Sequence, residues 1–318
     1  MKKHIVLFVI LFFAGLSVQA KETYLYAEKD TNMLYLDIHR AKVEMQDGNA
    51  QKDSLEVKKP TILHLFGGGF KSGTRDSEYL LQWFNTLNED GYNVVSIDYR
   101  LGMKGYKMGK GLAGLAKSVT QFYASQQMGI EDVFSAVSYL HAHPELGIDV
   151  NNIVASGNSA GAIISLACAH AIANGKTEGA PADFQLKGVM SFAGAIISLH
   201  GAPKFAALPC PILFFHGLKD NAVAYRNLSF AGKGMWGSNY LVSKLKRQGG
   251  NYNIYRVKDR AHEVASYMNR LWPEEKGFLE RNIIKGEPFI LDATIANDSL
   301  PIYKTWGQMK PQDMYNGD

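Results

Sequence analysis

Ser159 is where the chemistry of this chain begins. It stands in the frame Gly157-Asn158-Ser159-Ala160-Gly161, after the apolar run Ile153-Val-Ala-Ser156 and before Ala162-Ile-Ile-Ser-Leu166. Two apolar runs joined by a tight turn read as a strand passing through a sharp bend into a helix. A serine on such a bend has strained backbone angles and close neighbours on both sides, so only small residues fit beside it; Gly157 and Gly161 meet that need. The first N–H groups of the helix, that of Ala160 among them, point toward any negative charge that develops beside the serine. A five-residue pattern also occurs by chance, so whether Ser159 is a nucleophile depends on its partners.

A serine hydroxyl is a poor nucleophile until a base takes its proton, and the base needs a carboxylate to hold its tautomer and offset its charge. Beyond position 220 the chain holds one histidine, His262, directly after the strand-like run Tyr252-Asn-Ile-Tyr-Arg-Val257. The acids between Ser159 and His262 are Glu178, Asp183, Asp220 and Asp259. Glu178 and Asp183 fall in a Gly- and Pro-containing loop after a helix, toward the opposite edge of a sheet. Asp259 is too near His262 in sequence to reach round its ring. Asp220 follows the strand-like run Pro211-Ile-Leu-Phe-Phe-His216 through a short turn, at a strand's carboxyl end, and is the candidate partner.

A fourth feature is Gly67-Gly68-Gly69, which closes the apolar run Pro60-Thr-Ile-Leu-His-Leu-Phe66. Consecutive glycines let the backbone approach a ligand and aim N–H groups at one point, as an oxyanion hole requires. A phosphate-cradling loop is the rival reading, but neither a G-x-x-x-x-G-K-S/T frame nor a following acid at nucleotide-binding spacing accompanies it.

Gly67-Gly-Gly-Phe70, Asp98-Tyr99-Arg100, Gly157-Asn-Ser-Ala-Gly161, His216-Gly-Leu-Lys-Asp220 and Ala261-His262 together resemble the α/β-hydrolase fold, in particular its esterase/lipase branch with an H-G-G-G-type oxyanion loop, over roughly residues 55 to 275. The resemblance implies Ser159 as nucleophile, His262 as base, Asp220 as its partner, and the backbone N–H groups of Gly68, Gly69 and Ala160 as oxyanion hole. In that family a histidine usually precedes the glycine triplet and an aspartate often precedes the serine; here Phe66 and Asn158 occupy those positions. Neither change removes a catalytic group.

The elements that must carry these residues alternate. A hairpin of two edge strands, at Tyr24-Leu-Tyr-Ala27 and Met33-Leu-Tyr-Leu-Asp-Ile-His-Arg40, comes first, joined across Lys29-Asp30-Thr31-Asn32. Strand-like runs at residues 60–66, 92–101, 153–156, 188–193, 211–216 and 252–257 then alternate with helix-like segments at 79–89, 118–143, 160–173 and 238–248. That order predicts β-α-β units with right-handed crossovers: a mostly parallel sheet of about eight strands, its first pair antiparallel, with helices on both faces. Each catalytic candidate falls at a strand's carboxyl end, where such sheets bind ligands. Asp98-Tyr99-Arg100 and Asp132 read as structural ion pairs below the Ser159 turn, and His216 as a residue that fixes its own turn.

At 318 residues, 46% hydrophobic and 20% charged, the composition is that of a globular protein. Residues 1–20 stand apart: Lys2 and Lys3, an uncharged apolar run, then Val18-Gln19-Ala20 as a small-x-small cleavage site, which reads as a signal peptide ahead of one domain over 21–318 with small cap or loop insertions. The expected product is exported, periplasmic or extracellular, with no stable membrane insertion after cleavage. Cleavage takes two of the 34 basic residues against 30 acidic ones and leaves the chain near neutral, so nothing points to nucleic acid. Cys168 and Cys210 read as free thiols, because a chain this large needs no staple.

The chemistry expected is acyl transfer from an ester to water, which requires no metal or organic cofactor. The stretch at 194–208 is too short for a long helical lid, which favours an open site and a small or carbohydrate-linked ester, acetyl or feruloyl. Residues 102–114 and 221–236, with Tyr225, Phe230 and Trp236, are the expected rim of the pocket. A serine peptidase of the same fold and a non-catalytic binding protein on that fold are the alternatives. No motif speaks to oligomeric state.

Overall fold

A computed structural model describes residues 21–42 and 58–302; the leader expected at residues 1–20 lies outside the described residues. The chain opens with the expected hairpin. Strands β1 (Glu22–Lys29) and β2 (Asn32–His39) pair antiparallel across a turn in which Asp30 and Thr31 both take positive φ, 47° and 68°. That geometry matches the right-handed twist of the two strands. Next come β3 (Thr61–Leu65), α1 (Glu78–Glu89), β4 (Val94–Ile97), α2 (Gly111–Ala142), β5 (Ile153–Asn158), α3 (Ala160–Ala173), β6 (Gly188–Phe192) and β7 (Ala195–Ser198). The remainder is β8 (Ile212–Gly217), β9 (Asn227–Phe230), β10 (Lys233–Gly237), α4 (Ser238–Gln248), β11 (Tyr252–Val257), α5 (Trp272–Phe278) and β12 (Leu291–Ile295).

Nine strands form one sheet in the order β1-β2-β4-β3-β5-β6-β8-β11-β12, and β2 alone runs against its neighbours. Every residue of β3, β4, β5, β6 and β8 is buried, so the centre of the sheet is covered on both faces. Phe192, Phe215 and Tyr255 stack across β6, β8 and β11, with centroids 5.2 and 5.1 Å apart and planes 10° and 13° from parallel. A separate antiparallel sheet joins β7, β10 and β9.

Two expectations shift. The ninth strand, β12, comes from the Pro-flanked tail and lies parallel to β11, its residues only half-buried or exposed and so without an apolar run to announce it. Helix α2 begins at Gly111 and not at Ser118, because its first two turns place Leu112 and Leu115 outward, 74% and 40% exposed, and present no inward apolar face. Further along, Val133, Val137 and Leu140 are buried on one face as the period requires.

Of the residues read as structural ion pairs, Arg100 and Asp132 meet each other, and Asp98 meets Arg75. Asp132, fully buried, accepts from the Arg100 backbone N–H at 2.8 Å and from its Nε at 3.0 Å, while Arg75 reaches Asp98 at 2.7 Å. An unexpected polar link joins α1 to α5: Trp83 Nε1–H donates to Glu275 Oε2 at 2.9 Å, and both side chains are wholly buried. Burial pushes the Glu275 carboxyl well above its ordinary value, more than the tryptophan's hydrogen bond lowers it. Since the folded value is the higher one, Glu275 subtracts stability as pH rises from about 4.3, the ordinary Glu value, toward the folded value. Glu275→Gln should therefore gain stability relative to the unsubstituted chain as pH rises above about 4 in urea unfolding, while the two converge at the acid end.

Candidate active site

Ser159 lies between the last residue of β5 and the first of α3, at φ 53° and ψ −116°. This conformation costs a non-glycine residue about 1–3 kcal/mol and persists because its surroundings over-determine it. Its N–H donates to Phe192 O at 2.9 Å, which ties the turn to β6. A Cβ on Gly161 would stand 2.0 Å from Leu65 O, and one on Gly157 would stand 2.2 Å from Gly161 C. The glycines of the frame are thus set by backbone running against backbone.

The three residues singled out for nucleophile, base and acid come together. Ser159 Oγ is 2.8 Å from His262 Nε2, and His262 Nδ1 is 2.8 Å from Asp220 Oδ2. They are 6%, 2% and 7% exposed, so this hydrogen-bonded chain is largely withdrawn from water. Asp220 leaves the end of β8, and its Oδ1 accepts the N–H groups of Ala222 and Val223, each at 2.9 Å. Because an ionised carboxylate can only accept, and Oδ1 already accepts two backbone N–H groups, the proton between His262 and Asp220 belongs to Nδ1, and Nε2 presents its lone pair to the serine hydroxyl.

His262 opens a 3₁₀ turn, His262–Ser266, after β11. That turn is clasped from outside by the C-terminal segment. Lys258 N–H donates to Ile295 O at 2.8 Å, Arg260 Nη2 donates to Asn297 O and Leu300 O at 3.1 and 2.6 Å, and the Tyr267 hydroxyl donates to Pro301 O.

The glycine triplet follows β3, with Gly68 and Gly69 at φ 119° and 63°. Gly68 O accepts the N–H groups of Lys71 and Ser72 at 3.0 and 3.1 Å, which folds the loop back on itself. Where a histidine might have pinned this loop, Phe66 stacks on Tyr99 with centroids 4.5 Å apart, and the Tyr99 hydroxyl donates to Phe66 O at 2.9 Å. Under the turn, His64 is fully buried against Trp83 and Phe84, and burial pushes its imidazole down to about 3, so it is a neutral packing group.

A cavity of about 510 Å³ opens on Ser159 and His262. It is lined by residues 66–68 and 71–74 with Ser77 and Tyr79 on one side, and by Asn158, Ser159, His262 and Ser266 on the other. This corrects the expected rim: neither 102–114 nor 221–236 lines the cavity. Tyr225 and Trp236 are buried, 9% and 3% exposed, because 221–236 folds into the β9–β10 hairpin, while Phe230 faces solvent at 74%. Sequence reasoning passed over Ser72, Thr74, Ser77 and Tyr79. Their one signal was position, directly after the glycine triplet. Tyr79 is also tied to the serine's neighbour, its hydroxyl oxygen accepting from Asn158 Nδ2 at 3.2 Å.

Burial alone would raise the carboxyl of Asp220, but the charge of protonated His262 and hydrogen bonds from His216 and His262 outweigh it and hold Asp220 well below the usual carboxylate range. The cysteines take no part: both are free, and burial pushes the Cys210 thiol up to about 12.

Comparison with known proteins agrees with the topology. The family model described as alpha/beta hydrolase fold matches residues 125–218, a span that contains the Ser159 turn and stops just short of Asp220. Solved structures of esterase 2 from Thermogutta terrifontis, a Planctomycetes species, align over 82% of this chain and 94% of theirs. The propionate-bound form is 19% identical with a TM-score of 0.55, the butyrate-bound form 18% with 0.52, and the form phosphorylated by paraoxon 18% with 0.54. No curated protein sequence matches the chain. The fold is the α/β-hydrolase fold.

Two outcomes follow from the geometry. Gly161→Ala should lose several kcal/mol of unfolding free energy, or fail to fold, since its new methyl meets the backbone carbonyl of Leu65 and no flexible side chain. Because Asp220's folded value is depressed, its contribution to stability is full above about pH 4 and is lost as pH falls toward the folded value. The stability difference between the unsubstituted chain and Asp220→Asn should accordingly shrink as pH falls below about 4 in urea titrations.

Proposed function

We propose, with the α/β-hydrolase fold as premise, that this chain is an exported serine esterase that cleaves short-chain acyl esters or esters carried on carbohydrate, through an acyl-enzyme on Ser159. The observation that carries this reading is the run from Ser159 Oγ through His262 to Asp220, 2.8 Å at each step, beside an open cavity. Oγ attacks the ester carbonyl carbon as its proton passes to His262 Nε2, and Asp220 Oδ2 offsets the charge of the imidazolium that forms. The carbonyl oxygen takes up negative charge, which this reading assigns to the N–H groups of Ala160, at the start of α3, and of Gly68 and Gly69. His262 returns the proton to the departing alkoxide. Water, deprotonated by the same imidazole, then attacks the acyl group and frees Ser159.

The substrate class draws on two supports. The structures of Thermogutta terrifontis esterase 2 carry propionate and butyrate in their names, which favours a short acyl chain here. The hydroxyl-bearing side of the cavity, with Ser72, Thr74, Ser77 and Tyr79, suits a polar alcohol part such as a sugar. Export to the periplasm or beyond rests on the leader at residues 1–20.

A panel of acetyl, butyryl, octanoyl and feruloyl esters beside aminoacyl amides tests the reading directly. Acetyl and butyryl esters should turn over fastest, and amides should not be cleaved. Ser159→Ala should lower kcat at least about 10⁴-fold, and a fluorophosphonate should label the unsubstituted chain at Ser159 and not this variant. Unchanged turnover in Ser159→Ala would falsify the assignment.

A further inference from the structure

His216 is a buried histidine that the acyl-transfer steps leave unused. It lies near the end of β8, wholly buried, four residues before Asp220. Its Nε2 is 3.1 Å from Val223 O and 3.3 Å from Asp220 Oδ2. Both are acceptors, a carbonyl and an ionised carboxylate, so Nε2 must carry a proton. Its Nδ1 is 2.7 Å from Ser238 Oγ, whose hydroxyl lies 3.3 Å from Gly194 O and donates to it. The ring is held edge-on against Tyr225, centroids 5.5 Å apart.

This completes the surroundings of Asp220. Oδ1 takes two backbone N–H groups, and Oδ2 lies between two imidazole N–H groups, His262 on one side and His216 on the other. A carboxylate offers about four acceptor positions: three hold hydrogen bonds, and His216 Nε2 stands 3.3 Å from Oδ2 at the fourth. The shared oxygen exists because the chain around His262 runs hard against the end of β8: a Cβ on Gly217 would stand 2.2 Å from Ala261 O. A histidine that fixed only its own turn would need the Val223 carbonyl and nothing more.

We infer that His216 is a positioning residue of the reaction: its Nε2–H holds Asp220 Oδ2 in line with His262 Nδ1, and so sets the orientation of the base toward Ser159. The inference rests on the esterase reading. Its distinguishing feature is that the function belongs to one ring nitrogen. A glutamine amide reaches about as far as Nε2, and an asparagine amide about as far as Nδ1. His216→Gln therefore keeps a donor toward Asp220, and His216→Asn keeps only the link toward Ser238.

The experiment compares both variants with the unsubstituted chain on a short acyl ester, beside thermal unfolding of each. His216→Asn is expected to lose about 10- to 100-fold in kcat, the range set by one hydrogen bond to a charged group, with KM within about twofold. His216→Gln is expected to recover to within about threefold of the unsubstituted value, although both variants unfold at similar temperatures. Full activity in His216→Asn, or equal loss in both, overturns the inference while leaving the esterase reading intact. Failure of the unsubstituted chain to turn over any ester is the separate failure of that reading. The downfield proton resonance of His262 Nδ1–H needs no substrate; it should move in His216→Asn and stay in His216→Gln, and movement in both or neither also overturns the proposal.

Discussion

The structure turns on a contact between two pieces of main chain: the backbone of Gly161, at the first turn of α3, against the Leu65 carbonyl at the end of β3. Nothing larger than hydrogen fits in that gap, and because the gap is closed, Ser159 is forced to φ 53° with its hydroxyl raised above the sheet. The strain is modest beside the apolar surface that β5 and α3 bury, every residue of the strand and nearly all of the helix. One contact also sets two halves of the site at once, since Leu65 leads directly into Phe66 and the glycine triplet. The serine and the loop proposed to stabilise its oxyanion are therefore parts of one rigid piece.

The proposed acid and base, Asp220 and His262, come from elsewhere and need a different kind of restraint. Asp220 and His262 hang from the ends of adjacent strands, β8 and β11, whose register is fixed by the pairs Tyr252↔Ile212 through Val257↔Gly217. The stack of Phe192, Phe215 and Tyr255 runs across the same strands and resists sliding in that direction. Packing brings the two side chains close, and hydrogen bonds to both oxygens of the Asp220 carboxylate then choose a single orientation. In a buried setting such a network is worth having only when it is fully satisfied, and here it is.

What could be read from the sequence was whatever carries its cause locally. The Gly157 to Gly161 frame, the alternation of strands and helices, and the lone histidine beyond Asp220 each follow from neighbours in the chain, and the resulting geometry matches them closely. The misjudged parts, the half-exposed ninth strand among them, lack a cause that neighbours in the chain could reveal. Helix α2 begins seven residues before its apolar period becomes readable because Leu112 and Leu115 point to solvent. The cavity wall was assigned to 102–114 and 221–236 on grounds of length and aromatic content, yet Tyr225 and Trp236 fold inward with the β9–β10 hairpin. The segment that does line the cavity is a run of small polar residues, which without a partner in view looks like any surface loop. Phe66 belongs to the same class: its stacking on Tyr99 is invisible until β3 and β4 lie side by side.

The clasp around the His262 turn has a bearing on how the protein is made. Ser159, Asp220 and His262 are all encoded by position 262, yet the residues that flank the His262 turn are tied to carbonyls at 295, 297, 300 and 301. A ribosome that has translated the last of the three has not yet supplied the carbonyls that steady it. The hydrogen bonds that hold the surroundings of His262 are thus completed late in synthesis, after the chain of the ninth strand has been made.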